Sequence, residues 1–184
     1  MIIVISTGWG KCNVYLSLND FGAGVGQYGH ELHALDPRIC WRGWDGAGNV
    51  AKWTEGFVEW FDLTLPKLSL PRADWVMCLE VAEHIPAKYE VNVIRNLHAH
   101  NCRGIILSWA VLGQIGHNHV NNHANSYLVS QFERLGYRYD NVTSARFRKK
   151  DVRDPNVRAL PLRVHPWFRK GGMLVFRRWH HPIC

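Results

Sequence analysis

Three glycines at alternate positions, in the segment Asp20-Phe-Gly22-Ala23-Gly24-Val-Gly26, are the first residues that suggest chemistry. Without Cβ atoms they let the backbone turn tightly and come close to a ligand. If a helix opens at such a turn, its free N–H groups and the positive end of its dipole face that ligand. Asp45 follows 19 residues after Gly26, where a carboxylate can accept hydrogen bonds from two ribose hydroxyls. The expectation is a cofactor with an adenosyl group.

Two cofactor classes fit that far. Gly24-Val-Gly26-Gln-Tyr-Gly29 satisfies the G-x-G-x-x-G pattern of dinucleotide binding, and Asp45 stands at the matching distance. That leaves a nicotinamide-dependent oxidoreductase as one alternative. Asp20 argues the other way: a carboxylate two residues before the first glycine repels a pyrophosphate and pairs with the cationic end of an amino acid.

Histidines supply the candidates for proton transfer, because the unperturbed imidazole titrates near neutrality. His84 lies in Glu80-Val-Ala-Glu-His84-Ile-Pro86, and His117 and His119 lie in a glycine- and asparagine-rich stretch that continues through Asn121, Asn122 and His123. Helix capping, packing or loop hydrogen bonding would account for them equally well. The spacing His117-x-His119-x-x-x-His123 can bring three imidazoles near one ion. No cysteine pair or defined carboxylate accompanies it, so no metal is expected.

The elements that position these residues alternate between apolar, β-prone runs and helical spacings. Strands are expected at Val14–Leu18, Ile39–Trp44, Val58–Phe61, Trp75–Leu79, Gly104–Trp109, Tyr137–Asp140 and Gly172–Arg177. Helices are expected at about 27–35, 49–56, 88–100 and 124–135, with Tyr89, Val93 and Leu97 sharing one face. The alternation implies a parallel sheet covered by helices on both faces, with ligands beyond the carboxyl ends of the strands. Asp20, Asp45, Asp62 and Glu80 each close one of the first four strands, which points to one polar ligand lying across the top of the sheet. Trp41, Trp44, Trp53 and Trp60 gather around the second and third strands and are expected in the core.

The chain has 184 residues, enough for one domain with a real core. No apolar run reaches the roughly 18–20 residues that span a bilayer, and the N-terminus lacks the basic region of a signal peptide. Five scattered cysteines without a C-x-x-C pair suggest a reduced, cytoplasmic protein. Residues 141–184 hold 11 Lys/Arg against 2 Asp/Glu, whereas residues 1–140 hold 11 against 13. The basic quarter is either a solvated surface or a meeting place for an acidic or nucleic-acid partner.

In order, Asp20-x-Gly22-x-Gly24-x-Gly26, Gly43-Trp-Asp45-Gly46, Phe61-Asp62-Leu63 and Glu80-Val81-x-Glu83-His84-Ile85-Pro86 resemble the motifs of class I S-adenosylmethionine (SAM)-dependent methyltransferases from Val14 to Arg178. Ser108-Trp-Ala-Val-Leu-Gly-Gln-Ile-Gly-His117-Asn-His119-Val-Asn121 is similar to a poorly characterised subset of them. The resemblance implies an α/β, three-layer Rossmann-like sheet of seven strands in the order 3-2-1-4-5-7-6, strand seven antiparallel. It further implies SAM as cofactor and S-adenosylhomocysteine (SAH) as product. Asp20, Gly22, Ala23, Gly24 and Gly26 would hold the methionine end, Asp45 with Gly46 the ribose, Asp62 with Leu63 the adenine, and Glu80 with Val81 the sulfonium side. Val81, Ala82 and Ile85 would serve equally as packing residues.

Many family members cap the acceptor with a long N-terminal helical segment, which the short stretch before the first strand does not provide. The cap is therefore absent, supplied by a partner chain, or rebuilt from insertions at about 110–125 and 144–171 of a single domain spanning 1–184. The acceptor expected is a small molecule or peptide taking the methyl on oxygen or nitrogen, with His84, His117 and His119 as candidate catalytic groups. A nucleic-acid acceptor and a non-catalytic SAM-binding subunit stand as alternatives, although Glu80-Val-Ala-Glu83 occupies the place where base-amino methyltransferases carry an Asn-Pro-Pro-Tyr-like motif.

Overall fold

The computed structural model describes residues 16–66, 69–148, 172–180 and 182. Their strands are β1 (Leu16–Phe21), β2 (Ile39–Asp45), β3 (Val58–Trp60), β4 (Ala73–Cys78), β5 (Asn101–Ser108), β6 (Tyr137–Tyr139) and β7 (Met173–Arg178). Helices α1 (Gln27–Leu35), α2 (Val50–Trp53), α3 (Glu90–Ala99), α4 (Asn125–Arg134) and α5 (Asn141–Arg148) flank them. The seven strands form one sheet in the order β3-β2-β1-β4-β5-β7-β6. Neighbours from β3 to β5 are parallel, and β7 pairs antiparallel with both β5 and β6. The order and the reversed last strand match the expectation.

Apolar residues of the central strands and of α3 and α4 build the core. Val76, Ile105, Leu107 and Phe176 of the sheet meet Val93 and Leu97 of α3 and Leu128 and Phe132 of α4, all fully buried. The helical spacing of Val93 and Leu97 is thus a buried stripe. Tyr89 precedes it in a 3-10 turn, Ala87–Tyr89, after Pro86. Burial of each such side chain stabilises the fold by about 1.5–3 kcal/mol.

Several boundaries shift, and each has a reason. β1 runs through Asp20 to Phe21, so Asp20 is inside a strand, opposite Gly43 of β2 and Met77 of β4. The missing side chain at Gly43 leaves room for the Trp41 ring, since a Cβ there would lie 2.3 Å from Trp41 Cη2. Residues 141–148 form α5, which removes the start of the expected insertion 144–171 from irregular structure. The Ser144 hydroxyl donates to the Asp140 carbonyl and accepts the Val175 N–H, tying that helix to β7. Residues 149–171, with the three prolines of that segment, lie outside the described residues, as do residues 1–15.

Of the four tryptophans, only Trp44 is core; Trp41 is half-buried, whereas Trp53 and Trp60 are 76% and 46% exposed. Composition cannot tell the two faces of an outer strand apart, and β3 has one face in solvent. The cysteine expectation is also corrected: Cys40 of β2 and Cys102 of β5 are each disulfide-bonded, though two strands stand between them and they do not bond each other, and Cys78 is a buried free thiol. Sequence spacing does not reveal which thiols approach in space. Among the described residues no helix is long and apolar enough to cross a membrane.

Candidate functional site

The carboxyl ends of β1 to β4 open onto a cleft of about 350 Å³. Of the residues singled out from sequence, Gly22, Asp45, Gly46, Asp62, Leu63, Glu80, Val81 and His84 all line it. Phe61, Thr64 and Ile85 complete the wall. Residues spread over more than sixty positions of chain meet because each follows the end of a neighbouring parallel strand.

Asp20 lies below this cleft, 2% exposed. The Trp41 Nε1–H donates to its Oδ2 at 3.2 Å, and none of the ion pairs among the described residues involves it. Burial pushes its carboxyl from 3.8 up to about 7; the Trp41 bond works against that, and the charge of Asp45 adds to it. A buried carboxylate of this kind favours a cation placed beside it.

The glycine turn differs from the expectation in one respect. Four of its N–H groups are already bonded within the protein: Gly22 and Ala23 donate to the Trp44 carbonyl at 2.7 and 3.1 Å, Gly26 donates to the Ala23 carbonyl, and Gly24 donates to Asp45 Oδ2 at 2.8 Å. The glycines act through conformation and size instead. Gly22, Gly24 and Gly26 have φ of +80°, +58° and +86°. A Cβ on Gly22 would lie 2.1 Å from Val81 Cγ2, so the turn after β1 and the segment after β4 interlock there.

Asp45 ends β2 and is fixed by two backbone donors, Gly24 N–H on Oδ2 and Ala47 N–H on Oδ1. Each oxygen keeps a second lone pair for a ligand hydroxyl. Asp62 accepts the Thr64 N–H on Oδ1 at 2.8 Å. Helix α3 clamps the segment that follows: Asn96 donates to the carbonyls of Leu63 and Leu65, and Asn92 to that of Thr64. Sequence reading missed this clamp, since polar residues on a mostly apolar helix look like solvent contacts.

Glu80 takes a left-handed backbone conformation, φ +56°, which is costly for a residue with a Cβ. Ser108, the last residue of β5, holds it there: the Glu80 N–H donates to Ser108 Oγ at 2.7 Å, and Ser108 Oγ–H donates to Glu80 Oε1 at 2.8 Å. Ser108 appeared in a motif but without a role.

Beyond Glu80 the chain makes the 3-10 turn Ala82–His84, and the histidine-bearing loop docks on it. The Glu83 carbonyl accepts the N–H groups of Val120 and Asn121 at 2.9 and 3.1 Å. His84 Nδ1 lies 3.3 Å from the Asn118 carbonyl, and the rings of His84 and His119 meet edge to face at 5.0 Å. The Glu83 side chain is fully buried; the backbone N–H groups of Ala110 and of Glu83 itself lie beside its oxygens, and among the described residues no side chain bonds them. Burial is the main cause that raises its carboxyl to about 7.

The three loop histidines do not converge. His117 is exposed and outside the cleft lining, and His119 goes to His84. His123 bonds Glu90 Oε2 at 2.5 Å and stacks on Tyr127. Glu90 is buried at the start of α3 and also accepts from Tyr127 and Asn121. Burial works to raise its carboxyl, but the bonds from Tyr127, His123 and Asn121 hold it below the ordinary value. The network anchors the base of the loop to α3 and α4.

A second cleft of about 460 Å³ lies toward the start of β5 and the end of β7, lined by Trp75, Arg103, Arg138, Arg177, Arg178 and Trp179. Two of its guanidiniums are paired, Arg103 with Asp74 and Arg177 with Asp140.

No protein-family model and no curated protein matches this chain. Solved structures do. The chain is similar to magnesium protoporphyrin IX methyltransferase from Synechocystis PCC 6803 with bound SAM, with 18% identity and a TM-score of 0.57 over 89% of this chain and 70% of that one. It is similar to PKMT2 from Rickettsia typhi, with 9% identity and a TM-score of 0.65 over 91% of this chain and 49% of that one. It is also similar to the small RNA methyltransferase HEN1, with 14% identity and a TM-score of 0.59 over 92% of this chain and 24% of that one. The fold is that of the class I SAM-dependent methyltransferases.

Proposed function

We propose that this chain binds SAM in the cleft above β1–β4 and transfers its methyl group to an oxygen or nitrogen of a small-molecule or peptide acceptor, releasing SAH. The observation that carries the reading is the single cleft in which Gly22, Asp45, Asp62, Glu80 and Val81 meet above the buried Asp20. The residues fit the cofactor end to end. The Asp20 carboxylate suits an ammonium, the doubly anchored Asp45 suits ribose hydroxyls, and Asp62 beside Leu63 suits the adenine amino group. Glu80 and Val81 then border the sulfonium.

The same geometry supports SAM over a nicotinamide dinucleotide. A pyrophosphate needs free N–H groups and no nearby negative charge. Here the N–H groups of Gly22, Ala23, Gly24 and Gly26 are spent, and Asp20 and Asp45 stand beside the turn.

Bound SAM supplies an activated methyl on sulfur, and the protein's task is to align an acceptor and relieve it of a proton. His84 lines the cleft at its β4 end, with Glu83 and His119 behind it. His84 would face an acceptor there. Exposed Leu112, Ile115 and Val120 on the histidine loop offer apolar surface for its body.

Calorimetry with SAM, SAH and NAD tests the cofactor: binding of the first two and not the third is expected, and NAD binding with no SAM binding would overturn the reading. Turnover of methyl-labelled SAM with a broad acceptor panel tests catalysis. Tight SAM binding without turnover would favour a non-catalytic subunit.

A nucleic-acid acceptor is a second reading, favoured by the arginine- and tryptophan-lined cleft. That cleft opens near Gly104, at the opposite end of β5 from Ser108. RNA binding that weakens steeply with salt would support it; absent or salt-independent binding would remove it.

A further inference from the structure

We propose that Glu83, His84 and His119 bind a divalent cation at the acceptor end of the cleft. One ligand atom from each side chain lies within 4.8 Å of the other two. The three come from two segments that the Glu83 carbonyl ties together through Val120 and Asn121. Ligand atoms on one cation, bonded at about 2.0–2.2 Å, sit roughly 3 Å apart. Small side-chain rotations close the difference, and His84 is exposed and able to make one.

Buried polar atoms point the same way. Buried carboxylates are nearly always fully hydrogen-bonded or paired, yet the fully buried Glu83 has only the backbone N–H groups of Ala110 and of its own residue beside its oxygens, and among the described residues no side-chain donor or cation. His119 Nδ1 is buried and unpartnered. The other side of that ring is confined, because a Cβ on Gly116 would lie 2.1 Å from His119 Nε2. Glycine at 116 therefore makes the space for this ring, leaving Nδ1 as the ligand atom.

His84 completes the pattern from outside. Metal-binding histidines commonly donate their second ring N–H to a carbonyl, which fixes the tautomer. His84 Nδ1 stands 3.3 Å from the Asn118 carbonyl, and Asn118 is held in a left-handed conformation, φ +55°. Its Nε2 is then the ligand. Two imidazoles and one carboxylate suit Zn²⁺, Mn²⁺, Fe²⁺ or Co²⁺ and leave positions open.

Since His84 also lines the cofactor cleft, the open positions serve an acceptor oxygen; this part rests on the methyl-transfer reading above. A cation-bound hydroxyl loses its proton to solvent more readily. Its oxygen then forms the bond to methyl as the sulfur–methyl bond breaks, and the cation is unchanged.

The test uses the full chain, freed of metal with a chelator and dialysed. Co²⁺ is titrated in and followed by its visible absorption, with Zn²⁺ and Mn²⁺ followed by calorimetry. One equivalent is expected at micromolar affinity or tighter, with Glu83→Gln and His84→Ala each weakening it by about tenfold or more. His33→Ala, an exposed α1 histidine, is expected to leave it unchanged. His84 is exposed, so its variant keeps its fold even if a substitution at Glu83 does not; thermal melts verify both. The proposal is overturned by the absence of saturable binding below about 1 mM, or by binding that survives His84→Ala and Glu83→Gln unchanged. SAM calorimetry on the metal-free sample separates the two readings, because SAM binding does not depend on the cation. Loss of the cation site alone leaves the cofactor assignment standing.

Discussion

Over β1 to β3 the cleft is bounded by carboxylates that close strands, and their backbone partners are already in place: Gly24 and Ala47 on Asp45, Thr64 on Asp62. At the end of β4 it is bounded by Glu80, Val81 and the 3-10 turn, on which a loop from a distant part of the chain docks. They meet through two backbone bonds to Glu83 and the Ser108–Glu80 pair. The first half is rigid and self-contained, as a binding site for one fixed ligand should be. The second half holds the buried Glu83 carboxyl, which has no side-chain partner among the described residues, and the unpartnered His119 nitrogen. What a protein keeps constant can sit on strand ends, while what differs between relatives is left to loops.

The comparison can be broken most forcefully where the halves touch. Gly22→Ala adds a Cβ that collides with Val81 at a positive φ, and is expected to destabilise the fold by about 2–5 kcal/mol in denaturant titration. Adding Val81→Ala should recover the collision part and not the backbone part. No recovery would mean that the two segments are not coupled.

Asp20→Asn ranks next. It should weaken SAM binding on the order of 100-fold, by loss of a charge-assisted contact, while stabilising the free protein above neutral pH. The sign follows from the shift: between 3.8 and about 7 the native Asp20 keeps a proton that the unfolded chain has lost, so stability falls as pH rises through that window. The variant removes that loss; Glu83 contributes a slope of the same sign and remains. In the wild type, a ligand ammonium favours ionised Asp20, so SAM affinity should rise with pH up to about 7 and then level off. A flat profile in calorimetry at several pH values would place the ammonium elsewhere.

Ser108→Ala removes both bonds that hold Glu80 in its left-handed conformation and should cost about 1–2 kcal/mol of stability. A larger loss of SAM affinity than of stability would mark Ser108 as a positioning residue. The smallest effect is expected from His117→Ala. Exposed and outside the cleft lining, it should change stability and SAM affinity by less than about 0.5 kcal/mol; a larger effect on SAM affinity would put the outer loop over the cofactor.

The same division governs how much could be seen in the sequence. Asp45, Asp62 and Glu80 were legible as the rim of one cleft because a short apolar run ending in an acid marks a strand end, and parallel strands bring their ends together; Asp20 was misplaced, because β1 runs on to Phe21 and buries it. The strand order came from resemblance, since no spacing encodes which strands pair. Helix α5 was hidden because Asn141–Arg148 is too polar to show a strong apolar stripe. The His117, His119 and His123 spacing suggested three convergent imidazoles, but a loop of variable backbone imposes no period, and the three chose different partners. Glu83 was read only as part of a motif. Its burial depends on residues 110–121, which no local pattern connects to it.

The contact between Gly22 and Val81 also bears on descent. A lineage that gains a new acceptor by enlarging residue 81 would press on the turn that holds the methyl donor, and a lineage that loses Gly22 would have to shrink residue 81 first. The two positions are therefore expected to change together or not at all.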